Sequence, residues 1–278
     1  YAAPPPIEVA VGGRRYHGHA EPLQGDLCEL YPVSAGDGPL LLKIARRPRD
    51  NDLLAAESRA LAALDQGLRG QAVRAHFPTL VDSFLLADAA GARRHANVLR
   101  HEPGVLTLAE VLDARPAGLD PADAAWIFNR ILAALGTAHA LGLVHGAVLP
   151  AHILVRPADH NAILIDWCYS VASGDPLRAI APASAADYPP EVLAKRPATP
   201  ATDLYMAARC MVRLLGGAGD TATLPARTPP PLRALLRACL IPAPHRRPGD
   251  AWQLFDDFQT ILRDRYGPPV FRPFPLSA

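Results

Sequence analysis

The sequence predicts an α+β fold of two lobes: a small antiparallel sheet with one helix over residues 1–102, then a larger helical lobe over residues 103–278. Two observations predict it. Before residue 100, short apolar runs flank clusters of turn-forming residues, and beyond the Glu102-Pro103-Gly104 break the apolar residues recur at helical spacing. Taken in order, a Pro-rich lead, Ala3-Pro4-Pro5-Pro6, opens the chain, and the runs Leu27 to Val33 and Leu40 to Ile44 flank Ser34-Ala35-Gly36-Asp37-Gly38, a hairpin pattern. From Asn51 to Leu64, Leu53, Leu54, Leu61 and Leu64 share one face of a helix with Glu57 close to it. A second strand pair, Thr79 to Leu86 and Ala96 to Leu99, brackets the turn Asp88-Ala89-Ala90-Gly91.

In the second lobe, Asp120 with Pro121 and Asp123 supplies an N-cap, a first-turn proline and a first-turn acid ahead of Trp126, Ile127, Ile131, Leu132 and Leu135. A helix from Thr202 to Leu215 stops at Gly216-Gly217 and is apolar on most sides, which predicts burial. Pro229-Pro230-Pro231 opens another through Leu240, and Asp250 to Leu262 carries Trp252, Leu254, Phe255, Phe258 and Ile261. The tail from Tyr266 to Pro275 is extended by composition.

Composition excludes some functions. A net charge of +1 gives no reason to expect nucleic acid or an anionic membrane as partner. Four scattered cysteines without Cys-x-x-Cys spacing read as reduced thiols in a cytoplasm. The apolar run Ile131 to Val155 is interrupted by His139, His145, Pro150 and His152, so it reads as core rather than a membrane span. The chain opens on Tyr1, with no signal-peptide pattern, and is expected to be a domain of a longer protein.

The chemistry-bearing residues fall in one order: Lys43 in Leu-Leu-Leu-Lys-Ile, Glu57 on the following helix, then His145-Gly146-Ala147 with Leu149 and His152, then Asp166-Trp167-Cys168 after an apolar strand. Tyr188-Pro189-Pro190-Glu191, Asp203 and Pro244-His245-Arg246-Arg247-Pro248 follow. Over nearly its whole length this order resembles the protein-kinase superfamily, in the bacterial serine/threonine style. The resemblance implies ATP with magnesium or manganese as the ligand, Lys43 on its phosphates, Glu57 holding that lysine, Gly25 in the phosphate-covering loop and Asp166 on the metal. It also implies a buried Glu191–Arg247 pair, an Asp203 that accepts from the catalytic-loop backbone, and an architectural His145.

Against that family pattern, the catalytic base is Ala147, its companion lysine is Leu149 and the second metal ligand is His152. The phosphate loop Leu23-Gln24-Gly25-Asp26-Leu27 keeps one glycine of three, which implies weak binding of a triphosphate. The His-Gly opening also resembles small-molecule kinases of the superfamily, and these too require the missing Asp. Read without the family, Lys43 and Glu57 fit a structural ion pair, Asp166 a turn-forming acid, and His152 a partly exposed loop residue; the last is the expectation adopted for His152. The implied function is a pseudokinase, a nucleotide-binding or regulatory module with a protein partner. The alternatives are an unorthodox phosphotransferase or nucleotidyl transferase working through Lys43 and Asp166, and an interaction module with an empty cleft.

Overall fold

The computed structural model describes residues 7–18, 21–36, 38–87 and 91–271; the Pro-rich lead, Asp37, Asp88 to Ala90 and the tail beyond Phe271 lie outside them. Alternating side chains build the first lobe. Strands β1 (Ile7–Val11), β2 (Arg14–Gly18), β3 (Leu23–Gln24), β4 (Cys28–Ser34) and β5 (Pro39–Ala45) precede helix α1 (Asn51–Gly67), and β6 (Leu80–Ala87) and β7 (Arg93–Arg100) follow it. They form an antiparallel sheet in the order β1-β2-β4-β5-β7-β6, with β3 on β4. The two predicted hairpins are present. The β1–β2 hairpin was not predicted, because only Val9 and Tyr16 of its strands are buried and the arginines between them hide the alternation. Its tip, Gly12-Gly13, takes positive φ at both residues and was the legible signal.

One face of the sheet closes a small core of Tyr16, Val33, Leu40, Leu42, Ile44 and Val98. The helix α1 instead presents Leu53, Leu61 and Leu64 to a second, larger cluster that is continuous with the helical lobe. The two lobes are therefore joined through α1 by apolar packing.

Past Gly104, which takes φ +65°, come β8 (Leu106–Thr107), α2 (Leu108–Ala114), α3 (Pro121–Ala140), β9 (Leu143–Val144), β10 (Ile153–Arg156), β11 (Asn161–Leu164) and β12 (Val171–Ala172). Asp120 caps α3 as expected, accepting from Ala122 N at 2.9 Å. Strands β10 and β11 form a hairpin with β8 alongside, and β12 pairs with β9, so two small sheets frame the loop between β9 and β10. The helices α4 (Pro190–Leu193), α5 (Pro200–Leu214), α6 (Pro230–Cys239) and α7 (Ala251–Tyr266) complete the lobe. Helix α5 is buried on most sides, as its composition predicted. All four cysteines are buried and free, and no helix among the described residues is long and apolar enough to cross a membrane.

The Glu191–Arg247 pair ties α4 to the segment before α7. Glu191 Oε1 and Oε2 accept from Arg247 Nη1 and Nη2 at 2.6 and 3.0 Å, both side chains are buried, and Thr202 Oγ1 donates to Glu191 Oε1 at 3.1 Å. Removing one partner leaves the other charge buried and unpaired. Glu191→Ala is expected to cost about 3–5 kcal/mol in urea unfolding. A loss under about 1 kcal/mol, the range of exposed pairs, would mean that water reaches the guanidinium.

Candidate functional site

The site begins with the pleat of β5. Leu42 and Ile44 point into the small core, so Lys43 points the other way, toward α1, where it is 2% exposed. Its Nζ donates to Glu57 Oε1 at 2.8 Å and to Asp166 Oδ1 at 2.5 Å. Asn97, opposite Lys43 in the β5–β7 register, donates through Nδ2 to Glu57 Oε2 at 2.9 Å and to Leu54 O at 2.9 Å. Ser83 Oγ in turn donates to Asn97 Oδ1 at 2.9 Å. Asn97 was missed by sequence reasoning. The signal was a lone polar residue inside Ala96-Asn97-Val98-Leu99, a buried run that needs a reason to hold an amide.

Asp166 leaves β11 with φ +64° and is followed by a short helical turn, Trp167–Tyr169. Trp167 is fully buried, donates from Nε1 to Leu164 O at 2.7 Å, and packs edge-on against His145 with centroids 4.7 Å apart. That anchor fixes where the Asp166 carboxylate points. His145 is architectural, as the resemblance implied: it is wholly buried and hydrogen-bonds Ile165 O through Nε2 at 2.8 Å.

His152 corrects an expectation. It is 3% exposed rather than partly exposed, because Nδ1 donates to Ala147 O at 2.9 Å and the ring stacks on Tyr169 at 5.5 Å. Its Nε2 sits between two carboxylates, 3.4 Å from Asp26 Oδ2 and 3.5 Å from Asp166 Oδ2. Tyr169 OH also donates to Asp26 Oδ2, at 3.2 Å. Asp26 comes from the β3–β4 turn of the first lobe, so the chain Glu57–Lys43–Asp166–His152–Asp26, which alternates in sign when His152 is protonated, crosses from one lobe to the other and back.

The charges respond to one another. Burial pulls the Lys43 ammonium down, but Asp166 and the other anionic groups around it outweigh burial and leave its pKa well above the ordinary value. Burial raises Asp166, and Lys43 and His152 more than reverse this, bringing it to about 2. For His152, burial opposes the charged ring and Asp166 and Asp26 overcome it, so its pKa is raised. The hydrogen bond from His152 leads in lowering Asp26. His145 is pushed by burial down to about 4, a shift that Asp203 and the Ile165 carbonyl offset only in part.

The loop between β9 and β10 is built as core. Ala147 and Leu149 are 0% and 1% exposed and belong to the large apolar cluster. Gly146 takes φ +77°, and a Cβ there would lie 2.6 Å from Leu177 Cδ2 and 2.9 Å from Tyr169 O, so no side chain fits without movement. Asp203 holds the loop as expected, accepting from His145 N and Gly146 N at 2.8 Å each, while His139 Nε2 lies 2.9 Å from its Oδ2. Gly25 is brought near the site, but its N–H donates to Cys28 O at 3.0 Å and its carbonyl accepts from Arg46 at 2.7 Å, so both of its backbone groups are used within the first lobe.

Glu57, Asp166 and Cys168 bring a ligand atom each within 4.8 Å of one another, a spacing that could hold a metal ion. The cation among them is Lys43, 2.8, 2.5 and 4.0 Å from those atoms. Burial keeps the Cys168 thiol protonated, with its pKa raised well above the ordinary value, and magnesium prefers a shell of oxygens. As folded, these residues do not fit magnesium or manganese.

No family model matches the chain, and no curated protein matches it. Among solved structures it is similar to one described as vaccinia related kinase 3, with a TM-score of 0.73 over 97% of this chain and 94% of that one, at 17% identity. The fold is that of a protein kinase. Within that fold Lys43, Glu57 and Asp166 lie together between the two lobes, and Ala147 and Leu149 of the β9–β10 loop pack into the apolar core.

The charge chain makes stability depend on pH with opposite signs. Asp166 folds with a pKa of about 2 against an ordinary 3.8, so its contribution is present above pH 3.8 and lost as pH falls through about 2. His145 stays neutral when folded down to about pH 4, so the unfolded chain gains a proton first and stability falls as pH drops below 6.5. His152 works the other way: its contribution is full below 6.5 and is lost as pH rises through its raised folded value. In urea titrations, His152→Gln is expected to abolish this alkaline-side loss and keep the acid-side one. An imidazole NMR titration placing His152 below 6.5 would contradict the assignment.

Proposed function

We propose that this kinase-like domain is a pseudokinase that transfers no phosphate and serves as a regulatory or scaffolding module for a protein partner. The observation that carries the reading is the saturation of Asp166, whose two carboxylate oxygens face Lys43 and His152 while the position of the base is a buried alanine. A positioned base is worth roughly 10²- to 10⁴-fold in rate, and electrostatic stabilisation of the transferring group is the larger part of this chemistry. Neither is available without rebuilding the loop. The transferase reading would need Asp166 to give up both cationic partners at once.

The cleft closes on itself. Asp26 puts a carboxylate on His152 and Tyr169, in the space between the lobes, and ATP with magnesium or manganese would have to displace it. The unmodified domain is therefore expected to show no change in melting temperature at about 1 mM ATP with either metal, since a ligand stabilises only by RT ln(1 + [L]/Kd). Asp26→Ala is expected to gain a nucleotide-dependent increase. An equal increase in both proteins would show that Asp26 does not obstruct the cleft.

Radiolabelled phosphate transfer to the domain itself and to generic protein substrates should stay at background with magnesium or manganese, and Asp166→Ala should change nothing. Turnover by the natural sequence that Asp166→Ala removes would replace this proposal with the transferase. The combined Ala147→Asp, Leu149→Lys and His152→Asn variant is expected to lose stability rather than gain activity, because it places charges at positions that are 0% and 1% exposed.

A further inference from the structure

In the helical lobe, α3 and α7 pack through an edge-on Phe128–Phe258 contact, with centroids 5.1 Å apart. Beside that contact each helix turns a second stripe toward a shared cavity of about 580 Å3: Trp126, Asn129 and Arg130 from α3, and Phe255, Leu262 and Arg263 from α7. That volume falls within the roughly 300–1,000 Å3 of small-molecule sites. The segment 267–271 leaves α7 and folds along the cavity as a third wall, and the β10–β11 turn supplies Asp159 and His160.

Three features mark the cavity as built for a ligand. The first is an aromatic stack: His160 lies flat on Trp126, with centroids 4.5 Å apart and planes 5° apart, and Phe271 lies on His160 at 4.3 Å. His160 is held there at φ +53°, a conformation uncommon outside glycine, with its carbonyl accepting from Arg130 Nε. Phe271 and Tyr266 nonetheless remain 61% and 43% exposed, so the aromatic surface is unfinished. The second is a pair of buried polar atoms without partners, Asn129 Oδ1 and His160 Nε2; such groups are ordinarily satisfied. The third is charge. Asp159 shares Arg156 with Glu102, each at 3.0 Å, whereas Arg263 and the terminal nitrogens of Arg130 have no ion-pair partner among the described residues and so offer two guanidinium groups to a ligand.

We propose that this cavity binds a small planar aromatic anion, its ring continuing the Trp126–His160–Phe271 stack and its carboxylate or similar group reaching Arg130 or Arg263. An N–H or O–H on the same ligand would satisfy Asn129 Oδ1. The planar guanidinium fork suits such an oxyanion, and charge-assisted bonds are about twice as strong as neutral ones. The site is separate from the cleft and does not depend on whether the domain transfers phosphate.

The test is calorimetric titration of the whole chain with 2-naphthoate and with its uncharged isostere 2-naphthamide. Naphthoate is expected to bind at least about tenfold more tightly than the amide, a difference of about 1.4 kcal/mol. The double variant Arg130→Gln, Arg263→Gln should erase that preference. Both arginines are exposed, so an unchanged melting temperature would confirm that folding is not the cause. Phe271→Ala should weaken both probes alike. Equal affinity for the two probes, a preference that survives the double variant, or no heat with either probe would each overturn the proposal.

Discussion

An ammonium that is 2% exposed must find its counter-charges within the protein, because the penalty for removing it from water is several kcal/mol. Lys43 meets this demand with one carboxylate from α1 and one from the turn after β11, and the rest of the architecture follows from holding those two acids in place. Glu57 is positioned by Asn97 and by the apolar seam of α1; Asp166 is positioned by the buried Trp167. The lobes are thus joined twice, by a hydrophobic cluster that runs from α1 into the helical lobe and by an ion chain beside it.

The same constraint operates within the helical lobe. Glu191, Arg247 and Asp203 satisfy buried groups whose loss would leave charges or backbone amides unpaired, so the folded state needs them whether or not any reaction occurs. Ala147 and Leu149 fill the core, and His152 lies between two acids whose charges raise its pKa. A largely buried ion network of this kind is weak evidence for added stability.

Much of the frame was legible in the sequence. The two hairpins, the Asp120 cap and the buried α5 depend on periodicity and local chemistry, and each is found where the pattern put it; the pairing of Lys43 with Glu57, which the resemblance implied, is present as well. The β1–β2 hairpin escaped because arginines on its open face mask the alternation. Asn97 escaped because its role comes from standing across a strand pair from Lys43, a register that neither strand states alone.

The sequence by itself determined the order of elements and the presence of a lysine on a strand with an acid on the helix that follows. Local propensity and residue identity suffice for those. Only the tertiary structure decided that Asp26 reaches His152, that His152 is buried between two carboxylates, and that Lys43 takes the place a metal ion would fill among Glu57, Asp166 and Cys168. The physical reason is range. Electrostatic interactions between groups more than a hundred residues apart depend on ångström distances that chain folding sets, and no sequence pattern encodes those distances.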